Sequence, residues 1–484
     1  MNTEKVLALD NPGARTGTEH DAIKKKHPWV RPLSGRGTTA QGLKRELGIF
    51  SLTNIVIANM IGAGVLTMAG FVLMELRNPL LMMVLWLIGG LVAFCGAVCY
   101  GQLGAAFPMA GGEYAYLSRL FHPLAGFLSG WISFFVGFSA PIAAAALAFV
   151  EYMARAFPVI LQPGIFPGAA SGVVLKKIYA LAIIAVFTLL HSRGVRVGAR
   201  VQNGLTVIKV AGIIVFVAAG FALGKGHVGH LFQGRWPEAS FSQCKSIGLA
   251  FLWIMFAYSG WNASAYIGAE ARTPKKNLPR SLILGTATVI LLYLAVNLLY
   301  VYAIPVNEIT ATASIGGLAA AKLFGRSLEQ IISVFIAFAL FSSLSAYIML
   351  GPRVYFSMAR DGLFFRFAAK VHPRSKVPSR SIVFQGMIAG GMVLVGRFDQ
   401  LLTYLGFALG IFPILAVVGV FKLAPRGLAR KPGIFPWLPV FFITASSLML
   451  ILSFLERPTE SLVAIATLLL GIPIYFFVFQ KGRN

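Results

Sequence analysis

Apolar residues recur from Leu47 to Phe479 in blocks of about twenty, broken by short stretches rich in charge, proline or glycine. A helix of that length crosses a hydrocarbon core of about 30 Å. Reading between the breaks predicts twelve spans, at 47–74, 79–105, 121–151, 177–192, 201–224, 246–269, 281–303, 328–352, 381–396, 399–421, 435–455 and 461–480. The predicted fold class is an all-α polytopic membrane protein of 12 transmembrane helices. Composition agrees, since 57% of the 484 residues are apolar and 12% charged, where a soluble globular chain holds about half and about a quarter. A soluble enzyme is excluded.

The chain carries 42 basic and 16 acidic residues, a net charge of +26, and in water such a surplus would point to nucleic acid. Position decides otherwise. With the N-terminus on the cytoplasmic side, 30 of the bases fall on inner segments, 11 on outer ones, counting Lys177 at the outer edge of its span, and one, Lys209, deep within a span. This is the positive-inside distribution. It predicts an integral protein of the cytoplasmic membrane with both termini in the cytoplasm, whose macromolecular surroundings are the lipid bilayer and not nucleic acid. Residues 1–46 form a polar tail containing Lys24, Lys25 and Lys26, without the apolar core and cleavage site of a signal peptide. The tail reads as a solvated segment that helps to set topology; a lipid-headgroup or regulatory arm is the alternative.

Little conventional catalytic chemistry is available. None of the acids falls in the middle of a span: Glu75, Glu151 and Glu270 lie at span ends, and no carboxylate is expected at mid-depth. His227 and His230 form the closest histidine pair and lack a third metal ligand nearby in sequence. Cys95 and Cys99, four residues apart, suit packing in a glycine-rich helix better than metal binding, and with Cys244 they make no disulfide framework. No nucleophile and base converge as a membrane hydrolase would need. No metal and no organic cofactor is implied.

Backbone chemistry stands out instead. Asn59-Met60-Ile61-Gly62-Ala63-Gly64 interrupts the first span with two glycines around a small residue, where an intact helix would favour larger side chains. An unwound segment there leaves amide N–H groups unpaired at the start of the outer half-helix, and the positive end of its dipole suits a carboxylate. A bare backbone at Gly64 suits close approach of that anion. A dinucleotide-type turn, which lacks its third glycine here, and simple helix packing are the other readings. Phe256-Ala257-Tyr258-Ser259-Gly260-Trp261 interrupts the sixth span in the same manner. The first and sixth spans open two sets of five, 47–224 and 246–421, followed by a helix pair at 435–480. Because five is odd, the second set crosses in the opposite sense, as in an inverted repeat, and paired broken helices at matching positions point to a transport site near the bilayer midplane.

Lys209 lies nine residues past Arg200, about 13 Å along a helix and too deep for easy snorkelling. Either it takes up and releases a proton during a transport cycle, or it stays charged while reaching backbone carbonyls of a broken neighbour. In both readings it stands where a cation would otherwise bind.

Several motifs resemble the amino acid–polyamine–organocation transporter superfamily, and within it the L-type amino acid transporters and their bacterial relatives. Ile61-Gly62-Ala63-Gly64-Val65 is similar to the family's helix 1 signature, with Ala63 where serine is commoner. Tyr100-Gly101-Gln102-Leu103-Gly104 and Gly111-Gly112-Glu113-Tyr114-Ala115-Tyr116-Leu117 resemble helix 2 and the first inner loop, with Gln102 in place of the usual Glu. Val201 to Lys209, Phe256 to Trp261 with Ala269-Glu270 and Pro274 to Pro279, and Arg353 to Gly362 resemble the fifth helix, the sixth helix with its loop, and the end of the eighth. The similarity spans about Leu47 to Pro378.

The resemblance implies a five-plus-five inverted-repeat core with broken helices 1 and 6, two extra helices, and alternating access. It implies a substrate site at Met60, Ile61, Gly62, Ala63, Gly64, Phe256, Ala257, Ser259 and Gly260. Amides of Ala63 and Gly64 would hold a carboxylate, carbonyls of Met60, Phe256 and Ser259 an ammonium, and Phe256 would gate. It also implies Lys209 as the proton-coupling group; Ser342 and Ser343 would suit sodium, the less favoured coupling ion. The lack of an acid at mid-depth narrows the substrate to neutral, apolar L-amino acids, ahead of cationic amino acids or polyamines. Symport, exchange and a transporter-like sensor are the alternatives in mode. Residues 152–176 hold no cysteine, so no disulfide-linked partner subunit is expected.

Overall fold

A computed structural model describes residues 42–162, 172–234, 236, 240–309, 315–325, 329–395, 410–423 and 436–480. The predicted tail up to residue 41 and the first part of the tenth span, 399–409, lie outside them. The described chain is helical: α1 (Ile49–Met60), α2 (Ala63–Leu76), α3 (Pro79–Ala106), α4 (Glu113–Leu120), α5 (Pro123–Ala156), α6 (Gly172–Ser192), α7 (Val195–Leu223) and α8 (Phe241–Tyr258) come first. They are followed by α9 (Ala263–Tyr266), α10 (Pro274–Ala303), α11 (Ile315–Phe324), α12 (Glu329–Arg360), α13 (Ser379–Val395), α14 (Gly410–Lys422), α15 (Trp437–Glu456) and α16 (Pro458–Ile474). Among the described residues seven helices, α3, α5, α6, α7, α10, α12 and α15, are long and apolar enough to cross a membrane unbroken. The chain is an integral membrane protein.

Local chemistry explains the helix starts. Asn78 caps α3 by accepting from the Leu81 amide at 2.9 Å ahead of Pro79, and Ser240 caps α8 by accepting from the Gln243 amide at 3.2 Å. Helix ends differ from the predicted spans. α6 begins at Gly172 and α7 at Val195, not at 177 and 201, and α12 runs on to Arg360 past 352. Hydropathy marks the apolar stretch of a helix, whereas the helix itself continues through Lys176, Lys177, Arg196 and Arg353. The short helices α4 and α11, which lie in predicted loops, were not part of the predicted pattern.

Within α5, Ser133–Ser139 forms a π-helical segment just before Pro141. Proline lacks an N–H and crowds the carbonyl four residues earlier, which the wider turn accommodates. Small residues let helices approach: a Cβ on Gly90 of α3 would stand 3.0 Å from both Ile290 of α10 and the Tyr258 hydroxyl. Trp86 packs its ring 5.5 Å from Tyr258 and 5.5 Å from Tyr293, and its carbonyl accepts from the Tyr258 hydroxyl at 3.0 Å. Cys95 and Cys99 are buried within α3.

One end of the bundle is tied by backbone and charge. The Leu47 amide donates to the Glu270 carbonyl at 3.0 Å and the Arg272 amide to the Leu47 carbonyl at 2.8 Å. The buried Glu270 carboxylate accepts from Arg353 Nε at 3.1 Å and from Nη2 at 3.2 Å, a bidentate pair joining the segment after α9 to α12. This pairing is why a charge inside α12 is tolerated.

Candidate functional site

α1 ends at Met60, two residues turn, and α2 starts at Ala63. Gly62, the residue before α2, is extended with φ −134° and ψ −150°, and no side chain caps the helix. The first amides of α2 are therefore left for another acceptor. The second break runs from Ser259 to Asn262 between α8 and α9. Gly260 has φ +95°, and a Cβ there would stand 2.4 Å from Asn59 Oδ1. Both facts require glycine. A Cβ on Gly64 would lie 2.5 Å from Ala257 Cα, so its bare backbone serves the contact between α2 and α8 as well as any approaching anion.

A phenol and an ammonium secure the breaks. Tyr293 of α10 lies within donating distance of two carbonyls, Met60 at 2.6 Å and Ala257 at 3.0 Å, one on each broken helix. Lys209 of α7, fully buried, donates to the Ile61 carbonyl at 2.5 Å, to the Ala58 carbonyl at 3.3 Å and to Ser343 Oγ at 3.0 Å. Its Nζ sits at the negative end of α1, where a positive charge is favoured. Ser343 also donates to the Ile61 carbonyl at 2.7 Å, whereas Ser342 accepts from Gln202 Nε2 at 3.3 Å.

A cavity of about 150 Å³ lies between the breaks. Of the predicted residues, Met60, Gly62, Gly64, Phe256, Ala257, Ser259 and Gly260 line it. Ile61 does not; its carbonyl is turned to Lys209 and Ser343. The side chain of Ala63 lies outside the described positions, although its backbone begins α2. The Phe256 carbonyl accepts from the Ser259 amide at 3.0 Å, so one lone pair of this expected ammonium acceptor is already used. Asn59, also in the wall, has its Nδ2 buried with no partner among the described residues.

Residues 47–478 match the family model described as amino acid permease. The chain belongs to the amino acid permease family. This permease is similar to the Asc-type amino acid transporter 1 of Mus musculus, at 29% identity over 91% of the chain and 82% of that protein. It is also similar to the large neutral amino acids transporter small subunit 2 of Homo sapiens, at 28% over 95% and 86%, and to the b(0,+)-type amino acid transporter 1 of Mus musculus, at 27% over 96% and 94%. The match extends the resemblance to the amino acid–polyamine–organocation superfamily past Pro378. Family and relatives are transporters, which sets the enzyme reading aside.

The permease also corrects one expectation. Glu113 lines the cavity although it belongs to no span, because Gly111 at φ +107° and Gly112 at φ +51° turn the chain inward at the head of α4. Its Oε1 accepts from the Tyr100 hydroxyl at 2.8 Å and from Asn262 Nδ2 at 2.6 Å, and the Tyr266 hydroxyl adds a third hydrogen bond. Burial pushes the Glu113 carboxyl up to about 7, against the pull of these three donors. Hydropathy reads residue 113 as loop; the paired glycines ahead of a lone acid were the available signal.

Proposed function

We propose that the permease is a secondary transporter that carries neutral L-amino acids across the cytoplasmic membrane by alternating access, with Lys209 as the proton-coupling group. The observation that carries this reading is the cavity between two broken helices, with uncapped α2 amides on one wall and the carbonyls of the second break on another. Amides of Ala63 and Gly64, with Asn59 Nδ2 beside them, hold the carboxylate; Ser259 and the free lone pairs at Met60 and Phe256 receive the ammonium. Phe256 closes over the bound molecule.

The site belongs to an inverted-repeat core of 47–224 and 246–421 within twelve spans, with 435–480 as added helices and both termini cytoplasmic. Support comes from the matched pair of breaks and from the 30 bases against 11. Glu113 does not by itself argue for a cationic substrate, because three of its roughly four acceptor sites already take hydrogen bonds from Tyr100, Asn262 and Tyr266. Lys209 occupies a ring of carbonyl and hydroxyl oxygens of the type that sodium would use, which favours the proton over sodium. The absence of cysteine from 152–176 supports a permease without a disulfide-linked partner.

The test is uptake of a panel of radiolabelled L-amino acids into liposomes holding the purified protein, with and without an inward proton gradient. Neutral amino acids are expected to accumulate with the gradient, and Lys209→Ala is expected to abolish the stimulation. Uptake only into preloaded liposomes would replace symport by exchange. Binding without flux would favour a sensor, and unchanged gradient dependence in Lys209→Ala would remove the lysine from coupling.

A further inference from the structure

Glu113 is the one acid in the lining of the cavity, and its surroundings among the described residues hold phenols and amides but no ion-paired cation. Besides its own helix, α3 and the stretch from the second break through α9 meet it. α3 brings Tyr100, whose ring packs 5.8 Å from that of Tyr116 on α4 itself. The second break brings Asn262, which donates to Glu113 and, at 3.2 Å, to the Tyr266 hydroxyl. Asp361, in the turn just after α12, stands at the edge of this group, where it accepts from Tyr114 at 2.7 Å, and Arg119 of α4 acts on Tyr114 in turn. The same corner is stitched by backbone, since the Gly111 amide donates to the Tyr266 carbonyl at 3.0 Å.

The ionised carboxylate is an acceptor only, and every neighbour in contact with it is placed as a donor. The protonated acid must itself donate through one oxygen. A phenol answers by rotating its hydroxyl, but the Asn262 amide has both hydrogens committed and answers only by flipping or withdrawing. Asn262 also lines the cavity, one residue past the turn that Gly260 makes against Asn59. A change at Glu113 is therefore felt at the second break.

We propose that Glu113 is a proton-binding site in the floor of the substrate cavity, and that its protonation releases Asn262 and loosens the junction of α4, α3 and α9, easing opening on that side. The ionised form holds the floor shut through charge-assisted hydrogen bonds, and the neutral form holds it weakly. The proton comes from water on the α4 side and returns there when the floor closes. Burial without a paired cation places this exchange near neutral pH, where a carboxyl pushed up to about 7 changes state. The inference rests on the transport reading but not on Lys209.

The decisive experiment is exchange of labelled for unlabelled amino acid in liposomes with the same pH on both sides, so that no gradient is coupled. Wild-type exchange is expected to rise several-fold between about pH 8 and about pH 6 with a midpoint near 7. Glu113→Gln, which cannot ionise, is expected to give a flat profile at the acidic level. Tyr100→Phe removes a donor to the ionised form and is expected to move the midpoint to higher pH, a readout that survives should Glu113→Gln fail to fold. Infrared difference spectra of the substrate-free protein should show a protonated carboxyl band that titrates over the same range and disappears in Glu113→Gln. A flat wild-type profile, an unchanged profile in Tyr100→Phe or Glu113→Gln, or a missing band would overturn the proposal. Exchange that titrates while gradient-driven accumulation is absent would count against Lys209 coupling alone.

Discussion

At the first break the carbonyls of Ala58 and Ile61 are met by an ammonium arriving from α7; at the second, the amide of Asn262 is met by a carboxylate arriving from α4. The first interruption spans two residues and exposes the negative end of a twelve-residue helix, which a cation suits. The second spans Ser259 to Asn262 and presents a side-chain donor, which an anion suits. Neither charge belongs to the helix that it steadies. Breaking a helix inside a membrane requires a partner for each freed polar group, and here ionisable groups on other elements, α7 and α4, stand at the two breaks. Tyr293, by contrast, reaches both breaks with a neutral hydroxyl and treats them alike.

The comparison is broken most severely by Gly260→Val. A β-branched residue at φ +95°, with its Cβ 2.4 Å from Asn59 Oδ1, should force the breaks apart. Strain of about 3 kcal/mol corresponds to roughly a hundredfold loss of uptake. Surface expression should stay normal, and normal uptake would show that the second break is not held against the first. Ser343→Ala is the intermediate case. It removes one of three oxygens from Lys209, and a hydrogen bond to a charged group is worth about 1.5–3 kcal/mol, so gradient-driven uptake should fall by roughly tenfold or more. An unchanged initial rate would mean that the two carbonyls suffice. Tyr293→Phe should have the smallest effect, about 0.5–1.5 kcal/mol, seen as a few-fold weaker substrate binding by titration calorimetry. A loss as large as that from Ser343→Ala would mean that the hydroxyl, and not the charges, sets the geometry of the breaks.

The first break was legible because two glycines flank a small residue in an otherwise apolar run, a local signal that needs no tertiary knowledge. Lys209 was legible for a related reason, as a base surrounded by apolar sequence. Its partners were less so, since nothing in the order of Ser342 and Ser343 says which hydroxyl faces the lysine; that depends on the rotation of α12. Glu113 escaped because burial by a loop that folds back is a tertiary event, and hydropathy sees only a polar residue between two spans. The same limit applies to Arg353, which ended the eighth span in hydropathy but is continuous helix, neutralised by Glu270.

The π-helical segment at Ser133–Ser139 amounts to a turn with surplus chain. The wider turn already takes up one surplus residue, so deleting one residue there would let ordinary helical winding resume with the two arms of α5 in nearly the phase they now hold, whereas a deletion in the α-helical part of either arm would re-phase it by about 100°. Ser129 on one arm and Pro141 and Ala144 on the other, which all line the cavity, would stay aligned after the first kind of deletion and lose that alignment after the second. A one-residue change of length is thus absorbed at a position where sequence alone shows only an apolar stretch, whereas elsewhere along α5 it would turn one part of the cavity wall away from the other.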